Sequence, residues 1–222
     1  MNVRLVSYSQ PDEGMTSQHI RDVQDLVAFC ARVSNPANQI NKETSEKLIK
    51  YLIKHQHWSP LEMVSACLEI DTTRDIAHQI VRHRSFAFQE FSQRYAEPSE
   101  MGDQFITREA RLQDTKNRQN SIELSDESEL HYDWKRKQEE VIEASKAAYE
   151  WAIENGIAKE QARVVLPEGC TKTRLYMNGS IRSWVHYIEL RGANGTQKEH
   201  MEIAHACAKV ISNIFPIMNE LN

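Results

Sequence analysis

The chain's scarcities narrow it before any of its motifs do. Its seven glycines are scattered, with no Gly-x-Gly-x-x-Gly and no Walker-type loop, so no glycine-rich cradle is offered to a phosphate. No Gly-x-Ser-x-Gly elbow is present. The cysteines Cys30, Cys67, Cys170 and Cys207 stand singly, without a Cys-x-x-Cys pair. A disulfide framework and a thiol nucleophile are both unsupported, and reduced thiols in a cytoplasmic protein are expected. No apolar run approaches the roughly 20 residues that cross a bilayer, and polar residues interrupt the amino terminus at once, so neither a span nor a signal peptide is expected. A basic excess is lacking too. The net charge is −5 and the pI about 6.0, which argues against a duplex-binding surface. Among nine histidines, His55-x-His57 and the pair His200 and His205 lie at poor ligand spacing for a helix, so packed or solvated histidines are expected and no metal site.

Hydrophobic residues at 40% and charged residues at 27% are ordinary for a water-soluble domain, and 222 residues suffice for one sizeable core. With no internal repeat and no linker, residues 1–222 are expected to form a single α+β domain dominated by helices. Val3 to Tyr8 alternates as a first strand, and Val64, Ala66, Leu68 and Ile70 mark a second within Glu62 to Thr72. Thr171 to Met177 reads as a third, closed by a turn at Asn178-Gly179.

Helical spacing predicts a helix from Ile20 toward Arg32 and another over Glu43 to His55 with Leu48, Tyr51, Leu52 and His55 on one face. Thr72 or Thr73 caps the next, whose stripe is Ile76, Ile80 and Val81. A long helix follows from Glu129 to Glu154, with Trp134, Val141, Ala148, Trp151 and Ala152 inward and Gly156 as its stop. Lys159 to Val165 is a short one. Ser180 caps a helix through Leu190, and Thr196-x-x-Glu199 reads as the capping box of the last, with Ile203, Cys207, Val210, Ile211 and Ile214 inward. Thr107 to His131 is polar and weakly patterned, an exposed excursion or lid whose arginines Arg108, Arg111 and Arg118 are expected to be solvated. The four tryptophans Trp58, Trp134, Trp151 and Trp184 are expected in the core.

The densest chemistry lies between Arg82 and Tyr95, where Arg82, His83, Arg84, Glu90, Ser92 and Arg94 are set among aromatic rings. Guanidinium forks can hold phosphate through paired hydrogen bonds, and Gln89, Glu90 and Ser92 can read a base edge. Helix-end cations account for Arg82 to Arg84, but not for the second polar set. On pattern alone a nucleotide site and a basic helix end stand about level.

Arg82-His83-Arg84, seven residues, then Ser92 with Arg94-Tyr95, resembles the signature of the flavin-dependent thymidylate synthases. Further pieces fall in that family's order. They are Ala31-Arg32-Val33-Ser34, His57-Trp58-Ser59-Pro60-Leu61-Glu62, Ala162-Arg163-Val164-Val165-Leu166-Pro167, and Arg182-Ser183-Trp184 through Arg191. The resemblance spans about Ala31 to Ile203. It implies a small central sheet flanked by helices, and a homotetramer whose active sites lie at subunit interfaces. The implied reaction is reductive methylation of dUMP to dTMP. Methylenetetrahydrofolate gives the carbon, and FAD reduced by NADPH gives the hydride.

The same resemblance implies residue roles. For dUMP they fall on Gln79, Arg82, Glu90, Ser92, Gln93, Arg94, Arg163 and Arg191. For FAD they fall on Ser34, His57, Ser59, Arg82, His83, Arg84, Glu90, Ser180, Arg182 and His186. Arg191 is the expected catalytic group: beside the base it stabilises the charge that develops as N3 loses its proton, in the manner of an oxyanion hole. Met63, Ser180 and His186 depart from residues frequent in the family, which bears on the flavin contacts rather than the reaction. Three other readings compete: an inactive family member, a different flavoenzyme such as a reductase with weak methyl-transfer activity, and a protein that stacks single-stranded bases on the Arg and Phe cluster, against which the acidic balance argues. No nucleic acid and no membrane are expected as partners.

Overall fold

The alternation of Val64, Ala66, Leu68 and Ile70 marks a strand with one buried face, and the chain is built around that strand. The computed structural model describes residues 1–17, 20–125 and 128–220. In it β2 (Ser65–Thr73) lies second in a four-stranded sheet ordered β1 (Asn2–Tyr8), β2, β6 (Lys172–Ser180), β3 (Ala87–Glu90), all neighbours antiparallel. A separate hairpin pairs β4 (Arg111–Gln113) with β5 (Ser121–Glu123). The helices in chain order are α1 (Glu13–Ser17), α2 (Val23–Ala31), α3 (Ser45–Lys54), α4 (Arg74–Ile80), α5 (Glu129–Glu154), α6 (Lys159–Ala162), α7 (Ile181–Gly192) and α8 (Lys198–Ser212). The arrangement is α+β and helix-rich, as expected, although the three strands read from the sequence become six. Among the described residues no helix is long and apolar enough to cross a membrane.

One face of the sheet, through Leu68, Ile70, Leu175 and Met177, joins α2, α3, α4, α7 and α8 in a continuous apolar core that includes Val27, Ile49, Ile80, Trp184 and Ile211. The other face carries charge. Arg4, Glu69 and Tyr176 line up in register across β1, β2 and β6. Arg4 donates to Glu69 through Nε at 2.6 Å and Nη2 at 2.8 Å, which with the Tyr176 hydroxyl holds the carboxyl down at about 2 against the cost of its burial.

Several sequence expectations are corrected, where the packing of the folded chain differs from the local signal. Asn178-Gly179 is not a turn: β6 runs through it, and Gly179 pairs with Ala66. Glycine is needed there because the Phe86 ring presses on the strand. A Cβ at 179 would sit 2.4 Å from Phe86 Cδ1. Gly179→Ala is therefore expected to cost about 1–3 kcal/mol through overpacking, and an unchanged urea midpoint would refute that reading.

Thr196 does not cap α8. Gln197 is its N-cap residue, and Glu199 is occupied by Arg111 and Gln197. In α3 the buried face is Ser45, Ile49 and Leu52, while Tyr51 and His55 are exposed and stack on each other at 4.2 Å; Val81 is likewise exposed beyond α4. The inward set of α5 is the largest miss. Gln138, Tyr149 and Ala152 are buried, but Trp134, Val141 and Trp151 are 45%, 51% and 60% exposed, and Ala148 is exposed as well. Trp134 and Trp151 are therefore not core residues in the single chain, unlike Trp184. Gly156 ends α5 as expected, at φ 75°.

The Thr107 to His131 stretch, of which residues 126 and 127 lie outside the described residues, is more tied down than its composition suggests. Arg108 donates to Asp75 Oδ1 and to Thr73 Oγ1, both at 2.7 Å, and Arg111 pairs with Glu199. Neither arginine is merely solvated. Thr73, one of the two residues expected to cap α4, is its N-cap residue, but its hydroxyl makes no bond to the helix backbone and donates to Asp75 Oδ1 at 2.6 Å.

Candidate active site

The buried stripe Ile76, Ala77 and Ile80 seats α4 on the core, so its carboxyl end delivers the turn Arg82-His83-Arg84 beside α7. The last turn of α7 supplies Arg191. Its Nε donates to His83 Nε2 at 2.9 Å. An imidazole nitrogen that accepts carries no proton, and burial together with the neighbouring Arg191 charge brings the His83 pKa down to about 4. His83 is thus neutral near pH 7. The ring is fixed edge-on against buried Tyr187, 4.9 Å between centroids. The contact orients the guanidinium by one N–H and leaves its Nη groups for another acceptor.

Gln79 lies in the same neighbourhood, donating to Gln197 Oε1 at 2.8 Å and facing His200 Nδ1 at 3.3 Å. Arg82 is exposed and has no hydrogen-bond or ion-pair partner among the described residues.

A second group surrounds the amino end of α7. The Ser180 hydroxyl accepts from Ser183 N at 3.2 Å, and Ser183 Oγ donates to the Ser85 carbonyl at 3.3 Å. That bond ties the turn bearing Arg84 to the first turn of the helix. Arg182 pairs with Glu62, and the His186 ring meets Trp58 edge-on at 4.4 Å, which brings in the Ser59–Glu62 turn. His57 lies outside this contact set and packs toward Tyr51 and His55 at 6.0 and 6.3 Å. Ser34 is on the exposed loop after α2, and no hydrogen bond links it to the group among the described residues.

A third group follows β3. Glu90 Oε1 accepts from Thr173 Oγ1 at 2.9 Å and from Arg74 Nη1 at 3.3 Å, so this carboxylate is already held. The Ser92 hydroxyl accepts from the Arg94 backbone at 3.4 Å, and Arg94 Nη2 lies 3.3 Å from Glu160 of α6. Gln93 is 3% exposed, and its Nε2 has no hydrogen-bond partner among the described residues. Half-buried Arg163 follows α6 directly. No hydrogen bond or ion pair joins this group to Gln79 and Arg191 among the described residues.

The residues expected around one nucleotide therefore fall into two sets within a chain, with the flavin set beside one of them. Sequence reasoning missed Arg74, Thr173, Tyr187, Gln197 and His200. Of these His200 had a signal, since it lies three and seven residues before Ile203 and Cys207 on the buried stripe of α8. All four thiols are raised by burial, Cys207 most of all, so none is poised as a nucleophile. A cavity of about 1150 Å³ lies apart from this chemistry, between the β4–β5 hairpin, α5 and the start of α8, and meets it through Gln197. Its size reflects an open face beside Trp134 and Val141; convergent donors and perturbed groups locate the active site better than volume does.

Chemically, the first set offers a cation with free donors next to a neutral imidazole. The turn beside it offers Arg82 and Arg84, exposed guanidinium groups without acid partners, suited to phosphate.

The chain is similar to known proteins over nearly its whole length. The family model described as "Thymidylate synthase complementing protein" matches residues 17–217. A probable flavin-dependent thymidylate synthase of Paramecium bursaria Chlorella virus 1 is 46% identical over 216 residues, 97% of this chain and 96% of the relative. A flavin-dependent thymidylate synthase of Synechocystis is 48% identical over the same share of each. Among solved structures, a UMP/dUMP methylase, PolB of Streptomyces cacaoi, bound with 5-Br dUMP, is similar with a TM-score of 0.81 and 25% identity, over 99% of this chain and 93% of that one.

Proposed function

The chain belongs to the family of the flavin-dependent thymidylate synthases, and from that premise we propose how its residues divide the work of turning dUMP into dTMP. The reaction is reductive methylation at C5 of the uracil ring, with methylenetetrahydrofolate as carbon donor. FAD, once reduced by NADPH, supplies the hydride when bound. The residues present fit the flavin: Arg82 and Arg84 are uncommitted cations for its pyrophosphate, and the α7 amino end offers Ser180, Arg182 and His186 facing Trp58 and Ser59. His57 and Ser34, which make no contact with that group within the chain, are assigned to the flavin through the family's motifs alone, and His83 ties the group to the substrate side.

The observation that carries the catalytic assignment is the Arg191–His83 hydrogen bond. A neutral acceptor on Nε aims the guanidinium without neutralising it. Arg191 then meets the uracil edge with full charge and stabilises the anion formed as N3 loses its proton, which places electron density at C5. No enzyme nucleophile is required, in keeping with four protonated thiols. Gln79 and Arg82 bind the same nucleotide from α4. Ser92, Gln93, Arg94 and Arg163 form the phosphate pocket, where the unpartnered Gln93 amide is a donor in want of an acceptor. Glu90, fixed by Thr173 and Arg74, stands between flavin and substrate.

The separation of the dUMP residues into two sets supports active sites completed by a second subunit, and so does the outer face of α5. Trp134, Val141 and Ala148 recur every seven residues, with Trp151 in step. That is a coiled-coil-like apolar seam on an otherwise charged helix. The homotetramer is the assembly proposed. Trp151→Glu is expected to shift the mass in solution to smaller species and to lower turnover with it, as seen by sedimentation. A tetramer of unchanged mass would remove this face from the interface. Free cysteines favour a reducing, cytoplasmic setting.

The test of function is tritium release from C5-labelled dUMP with FAD, NADPH and methylenetetrahydrofolate supplied. Release that depends on both NADPH and the folate is expected. Bound yellow flavin without release would overturn the synthase reading.

A further inference from the structure

Gln79 is held at both ends of its amide by groups that do not themselves touch the proposed substrate, and the chain of bonds behind it has a direction. It begins at Glu199, almost fully buried and paired with Arg111. Burial, the largest single influence, pushes this carboxyl up, but the hydrogen bonds from Arg111, its own backbone and Gln197, together with the Arg111 charge, outweigh it, so the group stays below its ordinary range, ionised. An ionised carboxylate only accepts. Gln197 must therefore turn its Nε2 to Glu199 Oε2, at 2.9 Å, which leaves its Oε1 for Gln79. Gln79 must answer with Nε2, at 2.8 Å, so its own Oε1 faces His200 Nδ1 at 3.3 Å. Nδ1 then carries the ring proton, and bare Nε2 accepts from the Tyr187 hydroxyl at 3.1 Å.

His200 and Tyr187 are 0% and 1% exposed, so water cannot rescue a mismatch. Inverting one member alone would set two donors or two acceptors face to face. A second proton on His200 is excluded as well, since burial and the nearby Arg191 and His83 bring its pKa to about 3.

We propose that Arg111, Glu199, Gln197 and His200 are positioning residues that fix the polarity of the Gln79 amide, so that Gln79 meets the nucleotide with an N–H while its carbonyl is turned inward. The oxygen it contacts is then an acceptor, a ring carbonyl or a ribose oxygen. The inference rests on the reading of Gln79 as a substrate contact, and it makes His200 neither a base nor a metal ligand.

The test compares the holoenzyme with its Glu199→Gln variant. An amide at 199 can donate to Gln197, and the whole chain can then reverse. Nitrogen-15 shifts of the His200 ring are expected to show an Nδ1–H tautomer in the wild type and a gain of Nε2–H in the variant. The KM for dUMP should rise about tenfold with kcat little changed, the loss of one neutral hydrogen bond. His200→Gln, which donates on one side and accepts on the other, should restore a KM close to wild type, whereas His200→Leu should match Glu199→Gln. A wild-type Nε2–H tautomer, or a tautomer and KM unmoved by Glu199→Gln, would overturn the polarity. A well-folded His200→Gln no better than His200→Leu would do the same. Wild-type enzyme without affinity for dUMP would instead overturn the substrate end of the proposal, and the tautomer would still decide the rest.

Discussion

Arg191→Ala is expected to keep bound flavin and the assembled state yet lose turnover by about 10²-fold or more, the scale on which one preorganised donor to a developing charge acts. Arg191 lies in the last turn of α7, where compensation of the helix dipole would by itself justify a cation. Dipole compensation, however, gives no reason for a hydrogen bond to a half-buried imidazole whose pKa is depressed to about 4. A structural arginine would pair with a carboxylate, as Arg108 and Arg111 do with Asp75 and Glu199. Arg191 pairs with a neutral acceptor and keeps its full charge.

Arg191→Lys should recover little, because an ammonium cannot bond His83 through one N–H and present a planar fork elsewhere. The loss should fall mainly on kcat, since the charge is greatest in the transition state. Flavin absorbance and sedimentation serve as controls, and near-normal turnover in a yellow, assembled Arg191→Ala enzyme would remove this residue from the mechanism.

What the sequence made legible follows a physical division. Elements whose partner is the apolar core were readable from periodicity: β2 with Ala66, Leu68 and Ile70 facing one way, and α8 with Ile203, Cys207 and Ile211. The bounds of α5 were readable too, because Gly156 supplies the positive φ its end requires. Its inward face was not. Trp134 and Trp151 read as core because large apolar side chains at helical spacing ordinarily face one, and periodicity does not say which side of a helix the rest of the chain covers. Gly179 read as a turn because the Phe86 ring that demands a missing Cβ is 93 residues away in sequence, roughly half the chain's span, and local rules see only neighbours.

The site divides in the same way. Arg82, Glu90, Ser92, Arg94 and Arg191 were reachable through the resemblance, since they carry its motifs. Arg74 and Thr173 behind Glu90, and Gln197 and His200 behind Gln79, belong to no motif, and only folding brings them to their partners.

Trp184→Ala should be the most damaging single change to stability, at about 3–5 kcal/mol, a large share of the roughly 5–15 kcal/mol that holds a typical domain folded. Trp184 is fully enclosed between α7 and the sheet, and its indole Nε1 donates to the Ala66 carbonyl at 3.0 Å. Truncation opens a cavity and strips that carbonyl of a partner. Trp184→Phe keeps most of the ring, and the Ala66 carbonyl keeps its sheet pairing, so the cost should be limited to about 0.5–1.5 kcal/mol for the lost indole hydrogen bond.

The damage should also reach the site. Phe86, which ends the Arg82-to-Phe86 turn, stacks edge-on against Trp184 at 4.8 Å and lies against Gly179. Without the indole the turn that carries His83 and Arg84 loses its backing. Flavin should therefore dissociate from Trp184→Ala at urea concentrations below the unfolding midpoint, while in Trp184→Phe the two transitions should stay together. Coincident transitions in Trp184→Ala would mean that the turn is held by its own contacts, the Ser183–Ser85 and Arg191–His83 bonds, rather than by the core beneath it.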